Sequence, residues 1–338
     1  MTSLRVLPFF FASVLAPITI GCAASTMLGR SVAASWSTPA PAPVHVAYPV
    51  RHDARVAVTW IGHASVLVQI DDKFVLTDPV FTDTVGGVSK RLVQPGLSPS
   101  ELPRIDVVAI SHVHFDHLSY GSLDAIASRV GRMVVPRGGL VYVPNMAFPV
   151  DELARWKGMD VDGLHVTAVP VKHVGFRYGA DAAWAREGFT GWVFEYHGIT
   201  VYFGGDTAYE PAAFDATAKR FPSIDLALIP IAPIEPRGFM KATHVDGREA
   251  ILAFERLHAK HMVPIHHGTF INSTDEPGDA LRVLGEAMKE RGVGGDRVPV
   301  VPIGGQFVLR AAHGFGAGEE KPGTGTGTGG GIRTGADR

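Results

Sequence analysis

The sequence predicts a layered α/β fold in which β-sheets pack face to face and helices cover them on the outside. Three observations carry this expectation. Strand-like segments come in blocks closed by helical segments, several strands alternate apolar and polar residues at period two, and helix-end signals flank the longer periodic stretches.

The chain has 338 residues and one cysteine, with a formal net charge of -2. That length supports one large domain with a substantial core. The near balance of acids and bases gives no basic footprint for a nucleic-acid partner. Residues 1–22, "MTSLRVLPFFFASVLAPITIGC", place one early Arg5 before an uncharged apolar stretch and small residues, the layout of an export signal. Cys22 ends that stretch. "ITIGC" resembles a bacterial lipoprotein box in Gly21 but departs from it at Thr19, where Leu is usual. The expected location is therefore exported, either periplasmic or membrane-anchored through Cys22, with a thiol discarded on cleavage as the alternative. Residues 23–50 are Pro/Ala/Ser-rich and read as an extended tether. Residues 313–338, rich in Gly and Thr, cannot bury apolar surface and read as a disordered tail. The folded domain is then 51–312. With a single cysteine, stability must come from the core and from metal.

Within the domain, "RVAVTWI" and "ASVLVQI" alternate at period two and "DD" turns into "KFVLTDP", an antiparallel start. "IDVVAIS" reads as a buried strand, and "SLDAIASRVG" as a helix closed by Gly131. "HVTAVPV" is a strand, and "GWVFEY", "HG" and "ITVYFGGD" make a hairpin. "IDLALIPI" precedes "DGREAILAFERLHA", a helix with Asp246 and Glu249 at capping-box spacing. The strand "KHMVPIHHG" is followed by the helix "PGDALRVLGEAMKERG".

The chemistry concentrates in "SHVHFDHLS", Ser111 to Ser119, immediately after a buried strand. In extended backbone, side chains two apart point the same way, so His112 and His114 can grip one ion. Asp116 and His117 can turn towards a second. Burying that many imidazoles without metal is costly. Further ligands are expected at other strand ends: His173 in "VPVKHVG", Asp206 in "YFGGDTAY", and one of His266 and His267 in "PIHHGTF", since adjacent residues point apart.

These segments resemble the metallo-β-lactamase superfamily, whose HxHxDH signature "SHVHFDHLS" fits. "TWIGHASVLVQI", "LTDPVF", "KRLVQPG", "ELPRIDVVAISHVHFDHL", "GGDTAY", "IPIAPIEPRGFMKATHVD" and "PIHHGTF" are similar to the branch of N-acyl-phosphatidylethanolamine-hydrolysing phospholipases D, in register from about Val56 to Phe270. The resemblance implies an αββα sandwich with a two-zinc site at one edge of the sheets. It implies that His112, His114 and His173 bind one zinc, that Asp116, His117 and His266 bind the other, and that Asp206 bridges them. It also implies that His244, in "MKATHVDG", lines the site beside the substrate, so His244 and Asp116 are the catalytic candidates. His63 in "IGHAS" matches as well and is read as a structural hydrogen-bonding group. The chain departs from the family pattern at Ser119, where an acid is usual, which predicts looser ligand orientation. It departs again at His267, where the phospholipase has Trp.

A histidine-rich set with two carboxylates suits two Zn2+ ions better than iron or manganese, the alternative metals. Paired zincs bring a bridging water towards ionisation near neutral pH and polarise the bond under attack. No G-x-S-x-G elbow, P-loop or dinucleotide fingerprint offers a competing mechanism. The expected function is a zinc-dependent phosphodiesterase of phospholipase D type acting at a membrane surface on N-acyl-phosphatidylethanolamine-like phospholipids. The alternatives are a lactonase, a β-lactamase or another hydrolase on the same site, and a non-catalytic lipoprotein scaffold. Two side features remain open in the sequence. Arg237 pairs either with a substrate phosphate or with a surface acid. The apolar residues of "VYVPNMAFPVDELARWKGM" are either an acyl groove or ordinary core.

Overall fold

The computed structural model describes residues 36–310 apart from 88, 180 and 182–186, together with 25, 26, 29, 30 and 33. The proposed leader with Cys22, much of the first half of the proline-rich stretch, and the Gly/Thr-rich tail lie outside the described residues. No helix among the described residues is long and apolar enough to cross a membrane.

The expected antiparallel start is present as β1 (Ala54–Gly62), β2 (Ser65–Ile70) and β3 (Lys73–Thr77). A separate short ribbon, β4 (Thr84–Val85) and β5 (Ser89–Lys90), follows. β6 (Ile105–Ala109) joins β3 in parallel, and β7 (Val130–Pro136) and β8 (Val150–Leu153) extend the same sheet in parallel. The second sheet is built from β9 (Gly158–Val161), β10 (Leu164–Val169), β11 (Gly191–Tyr196), β12 (Ile199–Phe203), β13 (Leu226–Pro230) and β14 (His261–Ile265). β15 (Gln306–Arg310) returns to the first sheet and pairs with β1. The helices are α1 (Tyr120–Ile126), α2 (Pro211–Arg220), α3 (Arg237–Met240), α4 (Gly247–Arg256) and α5 (Asp279–Arg291).

Period-two alternation decides which face each side chain takes. Val56, Val58 and Trp60 of β1 meet Val201, Phe203, Leu226 and Leu228 of the second sheet in the central layer. The intervening Tyr202, Ala227 and Ile229 point outward and pack under Phe214 of α2, Ile251 and Phe254 of α4, and Leu284 of α5. On the other side Leu67, Leu76, Val108 and Met133 pack with Leu123 and Ile126 of α1. The result is an αββα sandwich.

Several local expectations change. Gly131 does not close a helix; α1 ends through a 3-10 turn at Ala127–Arg129, and Gly131 lies inside β7. A Cβ there would come within 3.2 Å of the Asp106 carbonyl oxygen, so glycine allows the close approach of β7 to β6. Strands β7, β8, β9 and β15 were not foreseen. β8, β9 and β15 are half-exposed edge strands whose mixed burial leaves no clean apolar period. Asp246 caps α4 by accepting from the backbone of Arg248 and Glu249, but the Glu249 side chain turns to Arg237 instead of completing a capping box. Tyr142 and Phe148, in the proposed acyl groove, are buried in the core beneath α1. The proline-rich stretch is extended but not a free tether: Ala40 exchanges hydrogen bonds with Leu92 and Gln94, and Val44 donates to Ile303. Arg30 donates to the carbonyls of Thr274 and Asp275.

β10, β12, β13 and β14 run the same way, as do β3 and β6, and β1 turns into β2 beside the end of β3. Their outgoing ends share one edge of the sandwich, where loops are free of ladder pairing and can carry a site.

Candidate metal centre

Four of the outgoing ends, those of β6, β10, β12 and β14, deliver expected groups. The β6 end delivers His112, His114, Asp116 and His117, and the segment after β10 delivers His173. Asp206 follows β12, His244 follows α3, and His266 follows β14. His112, His114 and His173 place ligand atoms within 4.8 Å of one another, as do His63, Asp116, His117 and His266. In the first group His114 Nδ1 lies 2.8 Å from His112 Nε2 and 3.5 Å from His173 Nε2. Asp206 stands between the groups. Its Oδ2 is 4.0 Å from His173 Nε2 and 3.5 Å from His117 Nε2, and its Oδ1 is 2.9 Å from His266 Nε2. The structure thus brings together all seven residues expected to bind metal, with Asp206 at the junction.

The hydrogen bonds around the ring of ligands decide which nitrogen carries each proton. A carbonyl oxygen only accepts, so His173 Nδ1 donates to Thr243 O at 3.0 Å and His266 Nδ1 donates to Ala232 O at 2.9 Å. His117 Nδ1 donates to the Asp78 carboxylate at 2.7 Å. Ser111 Oγ donates to the same carboxylate at 2.5 Å, and its oxygen is then free to accept from His112 Nδ1 at 2.9 Å. In the neutral imidazoles this leaves four Nε2 lone pairs pointing inward. His117 Nε2 and His266 Nε2 lie 3.4 Å apart, close enough for one cation to meet both. The donor set therefore fits metal: the chain aims lone pairs and two carboxylates at the same small volume.

Electrostatics agree. Burial would push the Asp206 carboxyl up, but His266 and His117 hold it well below the usual carboxylate range. Burial disfavours charge on His117, yet Asp206, Asp116 and Asp78 more than offset it and push this imidazole well above its ordinary value. Its Nε2 calls for a cation, either a proton or a metal ion.

The remaining histidines separate by contact. Burial pushes His63 down to about 3, and its ring donates to Asp116 Oδ2 at 2.9 Å, the structural role expected of it. Its backbone carbonyl accepts from Trp60 Nε1 and from His266 N, which ties β1 to the ligand loop. His266 itself sits at φ 65, a conformation uncommon for any residue but glycine, and this turns its ring to Asp206. His267 points the other way, with its ring 4.5 Å from that of Trp60. Burial pushes His244 down to about 4, so it is neutral near pH 7, and its Nδ1 lies 3.6 Å from Asp206 Oδ2.

Sequence reasoning missed Asp78. It lies in "LTDPVF" at the end of β3, fully buried, and accepts from Ser111 N, Ser111 Oγ and His117 Nδ1. The available signal was an acid placed directly after an apolar strand whose neighbours end in histidines. The loosening expected from Ser119 is not general. Ser119 bonds Ser122 and lies near Thr82, away from the ligands, and four ligand rings are anchored without it. Of the five histidines expected to bind metal, His114 alone keeps a buried outer nitrogen, Nε2, without a partner among the described residues.

A family model for the β-lactamase superfamily domain matches residues 73–267, more than half of the chain and nearly all the ligand-bearing segments. The chain belongs to the metallo-β-lactamase superfamily. An N-acyl-phosphatidylethanolamine-hydrolysing phospholipase D of Caenorhabditis elegans is 30% identical over 270 residues, spanning 73% of this chain and 75% of that one. A metal-dependent hydrolase of Pyrococcus furiosus is 28% identical over 69% of this chain and 94% of its own length. The metallo-hydrolase structure from Ignicoccus hospitalis superposes with a TM-score of 0.56 at 19% identity, covering 76% of this chain and 99% of that one, a likeness of fold. This metallo-β-lactamase-fold protein is a metal-dependent hydrolase with a His/Asp cluster able to bind metal.

Two outcomes check this geometry. His266→Ala should lower bound metal by one ion per chain in elemental analysis, whereas His267→Ala should leave the stoichiometry unchanged; the reverse would mean the ligand is misassigned. Asp78→Asn should weaken metal affinity by roughly 10–100-fold in a chelator competition titration, because it disturbs the anchors of His117 and His112 together.

Proposed function

We propose that this protein is a zinc-dependent phosphodiesterase of phospholipase D type that hydrolyses N-acyl-phosphatidylethanolamine-like phospholipids. The observation that carries the reading is the 30% identity to a phospholipase of that specificity across 73% of the chain, joined to the convergence of the matching side chains on one edge of the sandwich. Five histidines and two carboxylates form a set suited to zinc. When bound, such ions supply a water ionised near neutral pH and a Lewis acid for the substrate oxygen.

The chain's own groups have definable parts. The Asp116 side chain is 26% exposed while Asp206 is almost covered, so Asp116 is the carboxylate at the mouth; burial would push its carboxyl up, but His117 and His63 hold it well below the usual carboxylate range and keep it ionised. His63 holds it in place. His244, neutral and 15% exposed, can donate a hydrogen bond to a non-bridging or leaving oxygen of a phosphodiester. A cavity of about 600 Å³ adjoins His63 and His266, with Leu92, Val93, Ile271 and Leu281 in its wall. Its size and mainly apolar wall support a substrate with an apolar part. This cavity, rather than the buried residues of the 141–159 stretch, is the place for that part.

The test is a matched panel on purified, metal-analysed protein. N-acyl-phosphatidylethanolamine in mixed micelles should turn over far faster than a cephalosporin or a simple lactone, chelation should abolish turnover, and about two zinc ions per chain should be found. His244→Ala should cut phosphodiester turnover by roughly 10²–10⁴-fold with its metal retained. Faster turnover of the lactam or lactone would remove the substrate assignment and leave the hydrolase.

We also propose that the chain is exported and held at a membrane through Cys22, on the pattern of residues 1–22. Cys22→Ser should then move the protein from the membrane fraction to the soluble exported fraction, and an unchanged distribution would rule out lipid anchoring.

A further inference from the structure

The segment from Thr243 to Asp246 touches the site at several points. Thr243 O fixes the tautomer of His173, the His244 ring faces Asp206, and Val245 N donates to the carbonyl of Thr207, next to Asp206, at 2.7 Å. No strand ladder holds this segment. Its backbone is tied to the short helix α3 through Thr243 N and His244 N, which both donate to Met240 O.

Arg237, the first residue of α3, closes this arrangement from outside. Its guanidinium donates to His244 O at 3.1 Å, to the Glu249 carboxylate, and lies 3.3 Å from Asp246 Oδ2. Asp246 uses its other oxygen to cap α4, accepting from Arg248 N and Glu249 N at 2.9 Å each. One planar cation therefore joins a loop carbonyl to two carboxylates at the start of α4. Those side chains are only 15–27% exposed, so the pairs are screened less than surface ones.

We propose that Arg237 is a positioning residue for the metal centre: it fixes His244 and, through Thr243 O, the orientation of His173, and it does not bind the substrate phosphate. Both carboxylates would have to be surrendered before the guanidinium could turn to an anion in the site, and His244 O would be released with them. The assignment rests on the hydrolytic reading of the site proposed above. It deepens that reading by separating the group that meets substrate, His244, from the group that holds it. A loss of placement on the scale of an ångström costs roughly 10²-fold in rate when a reacting geometry depends on it.

The experiment compares Arg237→Gln, Arg237→Lys and Glu249→Gln in the full chain, after circular dichroism has shown that each is folded. If Arg237→Gln does not fold, the other two carry the test. Each is assayed with N-acyl-phosphatidylethanolamine in mixed micelles and with bis(p-nitrophenyl) phosphate, and the visible absorption of each is recorded after loading with cobalt(II). The proposal expects Arg237→Gln and Glu249→Gln to lower kcat by roughly tenfold or more with KM little changed, and to shift the cobalt bands in the same direction. Arg237→Lys should recover part of the loss. A raised KM in Arg237→Gln with wild-type behaviour in Glu249→Gln would overturn it, because Arg237 would then be meeting substrate. Wild-type kinetics and cobalt bands in every variant would overturn it as well. If the wild-type protein hydrolyses neither probe, the substrate reading fails and the cobalt spectra alone decide: a shared shift upholds the clamp and unshifted bands remove it.

Discussion

The buried carboxylate of Asp78 is the interaction on which the rest of the metal edge depends. It has no exposed surface, and burying an unpaired carboxylate would be prohibitive. Here it accepts from Ser111 N at 2.6 Å, from Ser111 Oγ and from His117 Nδ1. Those bonds stabilise the anion, and they also decide the tautomers of two ligands that belong to different halves of the site, His112 and His117. Asp78 itself sits at φ 35, a conformation few non-glycine residues adopt, and its own N–H is held by Ala109 O. The turn out of β3 is thereby locked to the turn out of β6 at the point where both strands stop pairing.

Other polar groups around the centre follow the same logic of fixing backbone where the sheets end. The buried Arg177 guanidinium has no carboxylate among its described contacts; it lies between the rings of Phe115 and Tyr120 at 4.2 and 4.4 Å and donates to the carbonyls of Val113 and Leu118. It holds the loop that carries His112 through His117 against the segment after His173. Arg91, also fully buried, donates to Val80 O and stands over Phe270, joining the chain after Asp78 to the chain after His266. Guanidinium groups suit this work because their fork satisfies carbonyls while the flat face stacks on aromatic rings. The sandwich supplies rigidity, and these cations transmit it into loops that have no ladder of their own.

Much of this protein was legible in its sequence. The period-two strands, the capped helix after Asp246 and the crowding of histidines after "VVAI" come from local physics: side-chain direction, backbone capping and the cost of burying imidazoles without a metal. Those are properties of a few consecutive residues, so a linear string displays them. The similarity of spaced motifs to a known superfamily added the order of the distant ligands, and the convergence of all seven on one sheet edge agrees with it. What the string obscured were the edge strands β8, β9 and β15, where half-exposure erases the apolar period, and Gly131, where a strand residue imitates a helix stop.

By itself the sequence determined the layered fold and the segments that carry the candidate ligands, because these follow from side-chain period and strand ends; it left His266 and His267 both open, and the resemblance to the superfamily chose His266. Only the tertiary structure decided which nitrogen of each histidine faces the site. It also decided that Asp78 holds His117 directly and His112 through Ser111, and that Arg237 is committed to Glu249 and Asp246. The reason is common to all three. A tautomer or an ion pair depends on a partner brought close by the fold, here residues 39 apart for Asp78 and His117 and 70 apart for His173 and Thr243. No local pattern records such a pairing until the sheets have closed around it.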